Sequence, residues 1–360
     1  MKKGCSCQNC ANALFIISNS NLSTPSIVTS GIPQGSVLGP VLFVLYINDL
    51  PTALSNNIFM FADDTKIYSE IPNHNSAVSL QNDLHTMLQW SDKWLLAFHP
   101  EKCKVLRLGK EKDGYTYKLG NDVLDTTTCE KDLGVEVDDD LSFTTHISKQ
   151  VNKANSIMGM IRRKFPHLDC HTFPQLFKSI VRPHLEYATS VWNPYLKSDI
   201  IKLEQVQRRA TKQVPQLKNL SYRERLTRLH LPTLAYRRMR GDVIEVYKML
   251  NGKYDPVVSD ILSLHRDIVQ ESKTRGHSLK LNKSRFHHKA SSNSFARRVV
   301  EHWNKLPEEV VSAPSLITFE NKLDKQWANL IIKYDFDNAM QKDNPFTATR
   351  GRSTDFREVP

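Results

Sequence analysis

The chain has no apolar run long enough to cross a bilayer. Its longest, Val37 to Ile47, contains Gly39 and Pro40 and falls far short of the roughly 20 residues that a spanning helix needs. A secretory signal is missing as well, because the basic start of MKKGCSCQNC is followed by Cys, Gln and Asn rather than by an apolar stretch. These two absences predict a soluble, intracellular protein. The six cysteines (Cys5, Cys7, Cys10, Cys103, Cys129 and Cys170) are too few and too scattered for a disulfide scaffold in 360 residues, and they read as reduced thiols. Cys5, Cys7 and Cys10 have the close spacing of metal ligands, yet no second Cys/His group stands where it would complete a set of four. There is no internal repeat, and upstream of Gly31 there is no Asp or Glu.

What is present is an ordinary globular balance, 40% apolar and 24% charged, in a chain long enough for one large or two medium cores. The net charge of +11 is unevenly spread: residues 1–150 carry 12 Lys/Arg against 17 Asp/Glu, and the remainder carries 37 against 21. A chain whose carboxylates hold metal and whose separate basic part tracks a phosphate backbone has this distribution. Basic helical proteins of other kinds share it, so charge favours nucleic acid without deciding for it.

Short strands are predicted at Leu14–Ile17 and Ser26–Val28. After the turn-rich Ser30–Ser36 comes a nearly all-apolar segment, Val37 to Leu50, with Pro40 tolerated in its first turn. A helix apolar on all sides is expected to be buried. Ile58–Ala62 and Thr65–Tyr68 form a predicted hairpin separated by Asp63-Asp64. Helical spacing runs from Ala77 to Phe98, followed by strand-like pieces at Cys103–Leu108, Tyr115–Leu119 and Leu133–Val137. Past about residue 140 the chain reads as helical. One helix is marked by His146, Ile147, Val151, Ala154, Met158 and Ile161, and others start near Phe173, Asp199, Arg223 and Pro232, with breaks at Pro183, Pro194, Pro215 and Gly252. A polar stretch over 264–292, helical blocks at Ala296–Trp303 and Phe319–Ile332, and a disordered tail after Asp337 complete the expectation.

Phe61-Ala62-Asp63-Asp64 is the most informative tetrapeptide. Adjacent carboxylates on an otherwise apolar hairpin repel one another, and a hard divalent cation reverses that cost. In nucleotidyl transfer two such ions, about 3.5–4 Å apart, stabilise the attacking and leaving oxygens. A solvated Asp-Asp turn is the plain alternative. Upstream stand Gly31-Ile32-Pro33-Gln34-Gly35-Ser36-Val37-Leu38-Gly39-Pro40 and Tyr46-Ile47-Asn48-Asp49-Leu50. Together these strings closely resemble the palm motifs of reverse transcriptases encoded by non-LTR (LINE-type) retrotransposons, the jockey-like branch in particular.

The resemblance extends over roughly residues 26–335. It implies that Pro33, Gln34 and Gly35 line the template–nucleotide pocket and that Asp63 and Asp64 hold Mg2+. Trp90–Trp94 and Phe98–Cys103 look like the next palm motif, which makes Lys102 the candidate near the incoming triphosphate, with Lys104 second. Lys102 is otherwise a solvated turn lysine, and His99 stands where the family pattern has Asn. Leu133 and Gly134 fall in the primer-grip region, within Lys131–Val135. Arg182–Tyr187, Val191–Pro194, Leu203–Ala210 and Trp303–Pro307 match the family's thumb and C-terminal region. There Arg208 and Arg209 either grip phosphates or form a solvated face, and Trp192 and Trp303 read as core residues.

The implied fold class is α+β: a truncated polymerase palm with its catalytic Asp-Asp hairpin, then an all-α thumb and a C-terminal helical extension. The expected divisions are a stub over 1–11, a partial palm over 12–142, a thumb over 143–262, an extension over 263–336 and a tail over 337–360. The family's palm also needs a carboxylate from a strand preceding Gly31, and these residues supply none. Asp138-Asp139-Asp140 follows the primer-grip turn and is expected on the wrong side. The expected function is RNA-directed DNA polymerisation using an RNA template, a DNA primer and deoxynucleotides, with the chain inactive alone. The alternative is a non-catalytic nucleic-acid-binding remnant.

Overall fold

In a computed structural model of the chain, the described residues are 37–109, 114–265, 276–283 and 293–341, with the backbone of four short strands: β1 (Ala13–Leu14), β2 (Ile17–Ser18), β3 (Asn21–Leu22) and β4 (Ser26–Ile27). β1 pairs with β4 and β2 with β3, both antiparallel. The architecture mixes helices with small two-stranded sheets and divides into two compact units, one of residues 1–105 and 111–126, the other of 106–110 and 127–360. Pro33, Gln34, Gly35, Cys5, Cys7, Cys10 and the segment past Gln341 lie outside the described residues.

In the first unit, α1 (Leu38–Ile47) leads through a 3-10 turn (Leu50–Ala53) to β5 (Asn57–Phe61), β6 (Asp64–Tyr68) and α2 (His74–Trp94). Asn73 caps α2 by accepting from the Ser76 amide at 3.0 Å, and the helix ends at Trp94, short of Phe98, because Leu95 turns into the left-handed region (φ 55°). Its apolar face supplies Met87 and Trp90, which pack with Ile47 and Leu50 over the inner face of the hairpin. A second small core joins Ala77 to Tyr117, Leu119 and Leu124. The predicted strand at Cys103–Leu108 shortens to β7 (Lys104–Leu106) and that at Tyr115–Leu119 to β8 (Lys118–Leu119), which pairs with β9 (Asp122–Val123), and β10 (Asp125–Thr127) follows. Gln81 grips β8, donating to the Lys118 carbonyl and accepting from its amide at 2.9 and 2.8 Å.

The expectation of a buried α1 fails. Only Gly39 and Ile47 are buried, while Leu38, Val41, Leu42, Val44 and Leu45 are more than half exposed. A helix with apolar residues all round has no stripe that selects a partner, and here one line of it, Phe43 and Ile47, meets the core.

The second unit opens with the hairpin of β11 (Cys129–Asp132) and β12 (Val135–Asp138), joined through Leu133 and Gly134. It continues as α3 (Thr144–Lys164), α4 (Thr172–Leu176), α5 (Arg182–Glu186), α6 (Thr189–Trp192), α7 (Lys197–Thr211), α8 (Tyr222–Arg228) and α9 (Leu234–Leu250). Helices at Phe295–Asn304, Glu308–Val311, Leu316–Gln326 and Phe336–Gln341 follow. Pro183 does not break the helical run at 172–186. A π-type turn over Phe177–Val181 precedes it, and this local widening accommodates the residue that cannot donate.

One continuous core extends from Val135 to Ala339 and takes residues from β12 and from each of α3 to α9. The last helix, with Phe336 and Ala339 buried, carries ordered structure past the predicted boundary at Asp337, because these two apolar side chains have a core to enter. Trp192 and Trp303 are fully buried as expected, each donating from its indole, to the carbonyls of Tyr187 and Leu279 at 2.6 and 2.7 Å.

Candidate active site

Asp63 and Asp64 sit at the tip of β5–β6. The register pairs Phe61 with Asp64, so the two-residue loop is Ala62-Asp63 and Asp64 opens β6, one position earlier than the sequence reading placed the turn. Alternation then sorts the hairpin. Ile58, Met60 and Ile67 face the core, whereas Phe59, Phe61, Asp64, Lys66 and Tyr68 share the exposed face. Phe59 and Tyr68 stack across the strands at 5.1 Å. Ala62 adopts φ 52°, a left-handed conformation that costs a non-glycine residue on the order of 1–2 kcal/mol. The loop therefore holds a strained backbone where two acidic side chains emerge.

A carboxylate the sequence reading did not single out fixes the base of this hairpin. Asp83, buried on α2, accepts from the amides of Ser55 and Asn56 at 2.9 and 2.7 Å and from the Asn56 side chain at 2.8 Å. It thereby satisfies the backbone that enters β5. Asp49, from the Tyr46–Leu50 motif, accepts from the Trp90 indole at 2.9 Å, and the Tyr46 hydroxyl donates to the Trp94 carbonyl. That motif ties the end of α1 to α2.

Both Asp63 and Asp64 are exposed, and neither has a hydrogen-bonded or ionic side-chain partner among the described residues. Hard carboxylate oxygens left free in this way suit Mg2+, which is held by one or two carboxylates and completes its shell with water and phosphate oxygens. No group of three or more His, Cys, Asp or Glu able to hold a metal occurs among the described residues.

Lys102 lies exposed at the end of a 3-10 turn (Pro100–Lys102) and makes no ion pair with either aspartate. Lys104 bonds Asp125 at 2.8 Å, which holds the Asp125 carboxyl below the usual range. In the second unit, Leu133 and Gly134 both take positive φ, 44° and 86°, as the central pair of a type I′ hairpin turn. The Tyr187 hydroxyl donates to the Leu133 carbonyl at 2.9 Å, and a Cβ on Gly134 would meet the Tyr187 ring at 3.3 Å. Arg208 lies over the Tyr222 ring and bonds Asp337 at 2.5 Å. Arg209 points elsewhere, donating to Asn155 at 3.2 Å.

Residues 2–137 match the family described as reverse transcriptase (RNA-dependent DNA polymerase). The chain is 26% identical over 224 residues to the probable RNA-directed DNA polymerase from transposon BS of Drosophila melanogaster, which covers 58% of this chain and 24% of that protein. It is 26% identical over 202 residues to the RNA-directed DNA polymerase from mobile element jockey of the same species, covering 52% and 22%. The jockey polymerase of Drosophila funebris gives 27% over 209 residues, covering 53% and 22%. The chain is similar to the jockey-like non-LTR reverse transcriptases.

It spans about a quarter of the length of these relatives. No solved structure matches it. Several residues of the strings that resemble the family's thumb and C-terminal region have local structural work in this chain. Glu204, fully buried, accepts from the Tyr222 hydroxyl at 2.5 Å and the Leu234 amide at 2.9 Å, and burial pushes its carboxyl up. Asn193 donates to Asp242 at 3.0 Å, and Asn304 grips both backbone groups of Leu281 at 2.8 and 2.9 Å. Burial and the neighbouring Asp138 push the Cys129 thiol up to about 11, so it is no nucleophile near neutral pH. The partners of Glu204, Asn193 and Asn304 lie 18 or more positions away, which is why motif reading alone did not find them.

Proposed function

We propose that the chain carries the palm hairpin and thumb of an RNA-directed DNA polymerase, and that it acts on an RNA template, a DNA primer and deoxynucleotides. The observation that carries this reading is the β5–β6 tip, two exposed and unpartnered aspartates on a strained loop anchored from beneath by Asp83. Asp63 and Asp64 would hold Mg2+, which when bound supplies charge stabilisation to the attacking and leaving oxygens of nucleotidyl transfer. The chain's own residues orient that centre. Phe59, Phe61 and Tyr68 give the hairpin an apolar outer face beside the carboxylates, and Lys102 offers a free cation for a triphosphate. Pro33, Gln34 and Gly35 would line the nucleotide pocket, and the Leu133-Gly134 turn, held by Tyr187, would present backbone to the primer end.

Two carboxylates at one tip, with no Asp or Glu in residues 1–30, favour a site that needs a further carboxylate from outside these residues. This supports the second reading, in which the 360 residues bind nucleic acid without polymerising. Primer extension on a primed RNA template with Mg2+ separates the two. The comparison is between this chain and a version preceded by the corresponding upstream segment of the jockey polymerase, each with and without Asp64→Asn. The account expects extension only from the fused version, lost in Asp64→Asn. Extension by the 360 residues alone would overturn the need for an outside carboxylate. Extension by the fused version that survives Asp64→Asn would overturn the catalytic role of the hairpin.

A further inference from the structure

Helices α3 and α7 run side by side in the same direction. Thr144, at the start of α3, donates to Asp199, near the start of α7, at 2.9 Å. Farther along, Asn155 meets Arg209 at 3.2 Å, about the same distance down each helix at 1.5 Å per residue. Beyond that contact the pair opens into a cavity of about 450 Å3 whose lining includes Arg162, Arg163, Arg209 and Gln213 over a floor of Met158 and Val206. No acidic residue lines it.

Cations at two helix C-termini have a plain explanation, because they complement the helix dipoles by about 0.3–1 kcal/mol each. That accounts for some basic residues there. It does not account for three guanidiniums lining one cavity that no acidic residue lines. Elsewhere the unit pairs several arginines with carboxylates: Arg237 with Glu186, Arg240 with Asp324, Arg298 with Asp242 and Arg208 with Asp337, whereas the buried Arg225 and Arg238 bond neutral groups, Arg225 the Leu220 carbonyl and Arg238 the Asn193 side chain. Arg162 and Arg163 have no carboxylate, and Arg209 has only the neutral Asn155. Gln213 adds a second anomaly, a buried amide oxygen with no hydrogen-bond partner. Buried polar atoms are rarely left unpaired, and a flip of the amide would present its NH2 group there as a donor.

We infer that this cleft is a phosphate-binding site for a nucleic-acid backbone, with Arg162, Arg163 and Arg209 as its ligands. Guanidinium forks match phosphate oxygens in a bidentate fashion, and the half of the chain that holds them carries the excess of 37 Lys/Arg over 21 Asp/Glu. The sequence reading paired Arg209 with its neighbour Arg208; the structure pairs it with two arginines some 46 positions away and gives Arg208 to Asp337. The inference rests on the nucleic-acid reading of the chain and gives that reading a location.

The test is equilibrium binding of the full chain to a labelled DNA primer on an RNA template across a salt series. The variants are Arg162→Gln/Arg163→Gln/Arg209→Gln and a charge-matched control at exposed lysines of the same unit, Lys197→Gln/Lys218→Gln/Lys253→Gln. Gly159→Leu is a third variant, which keeps every charge and places a side chain in the cavity. A Cβ at Gly159 meets only Arg163 Nη1, at 3.7 Å, so the backbone accepts it. The cleft variant is expected to bind at least about tenfold more weakly, with the log–log salt slope reduced by about 2–3. Gly159→Leu should weaken binding while the lysine control changes little. Equal losses in the arginine and lysine variants, or unchanged binding in Gly159→Leu, would overturn the cleft and leave the nucleic-acid reading standing. Absence of binding by the unaltered chain would overturn both.

Discussion

His146 lies buried against Trp192, their rings 5.1 Å apart, and its Nδ1 accepts from the Glu136 amide at 3.2 Å. Burial lowers its pKa below the usual 6.5, outweighing the pull of Glu136 and Asp138 in the other direction, and Lys149 adds to the lowering. His277 is depressed by burial in the same way. As pH falls below 6.5 the unfolded chain takes up protons that the folded chain refuses, so stability present above that value is lost in acid. The slope approaches about 1.4 kcal/mol per pH unit for each histidine while the folded form stays neutral. Thermal midpoints should fall between pH 7 and pH 5, and His146→Asn, which keeps an acceptor in place of Nδ1, should lessen that fall. An unchanged pH dependence in His146→Asn would show that His146 contributes nothing to it.

The β5–β6 hairpin was readable from its residues because alternating apolar positions, a two-residue gap and acidic turn chemistry all agree. The exact loop was not, since only the pairing of Phe61 with Asp64 decides which aspartate belongs to the strand. α1 misled for a different reason. Its apolar composition speaks for burial, yet burial needs a partner surface, and composition does not say whether one is there. Pro183 misled because a proline can be absorbed by a π-type turn upstream. Asp83 was invisible to motif reading, as its partners Ser55 and Asn56 stand 28 and 27 positions away. The account predicts that Asp83→Ala costs about 1–3 kcal/mol in chemical denaturation, from the amides it leaves unpaired, and speeds hydrogen exchange at the start of β5. Unchanged exchange there would remove Asp83 from the positioning of the hairpin.

Across the whole molecule the chemistry divides as the charge does. The acidic stretch holds the exposed aspartate pair, and the basic stretch builds one continuous helical core with an uncompensated arginine cleft on it. No helix among the described residues is long and apolar enough to cross a membrane. The family resemblance was legible in a few short strings of the first 64 residues, whereas the division of labour between Arg208 and Arg209 needed the packing of α7 against α3 and the last helix. The most direct test of the central claim is Mn2+ titration of the full chain, followed by paramagnetic broadening of methyl signals. If the β5–β6 tip holds the divalent ion, Met60 and Ile67 broaden first, and Asp63→Asn/Asp64→Asn abolishes the effect. Broadening centred on residues near Asp138–Asp140, or persisting in that double variant, would contradict it.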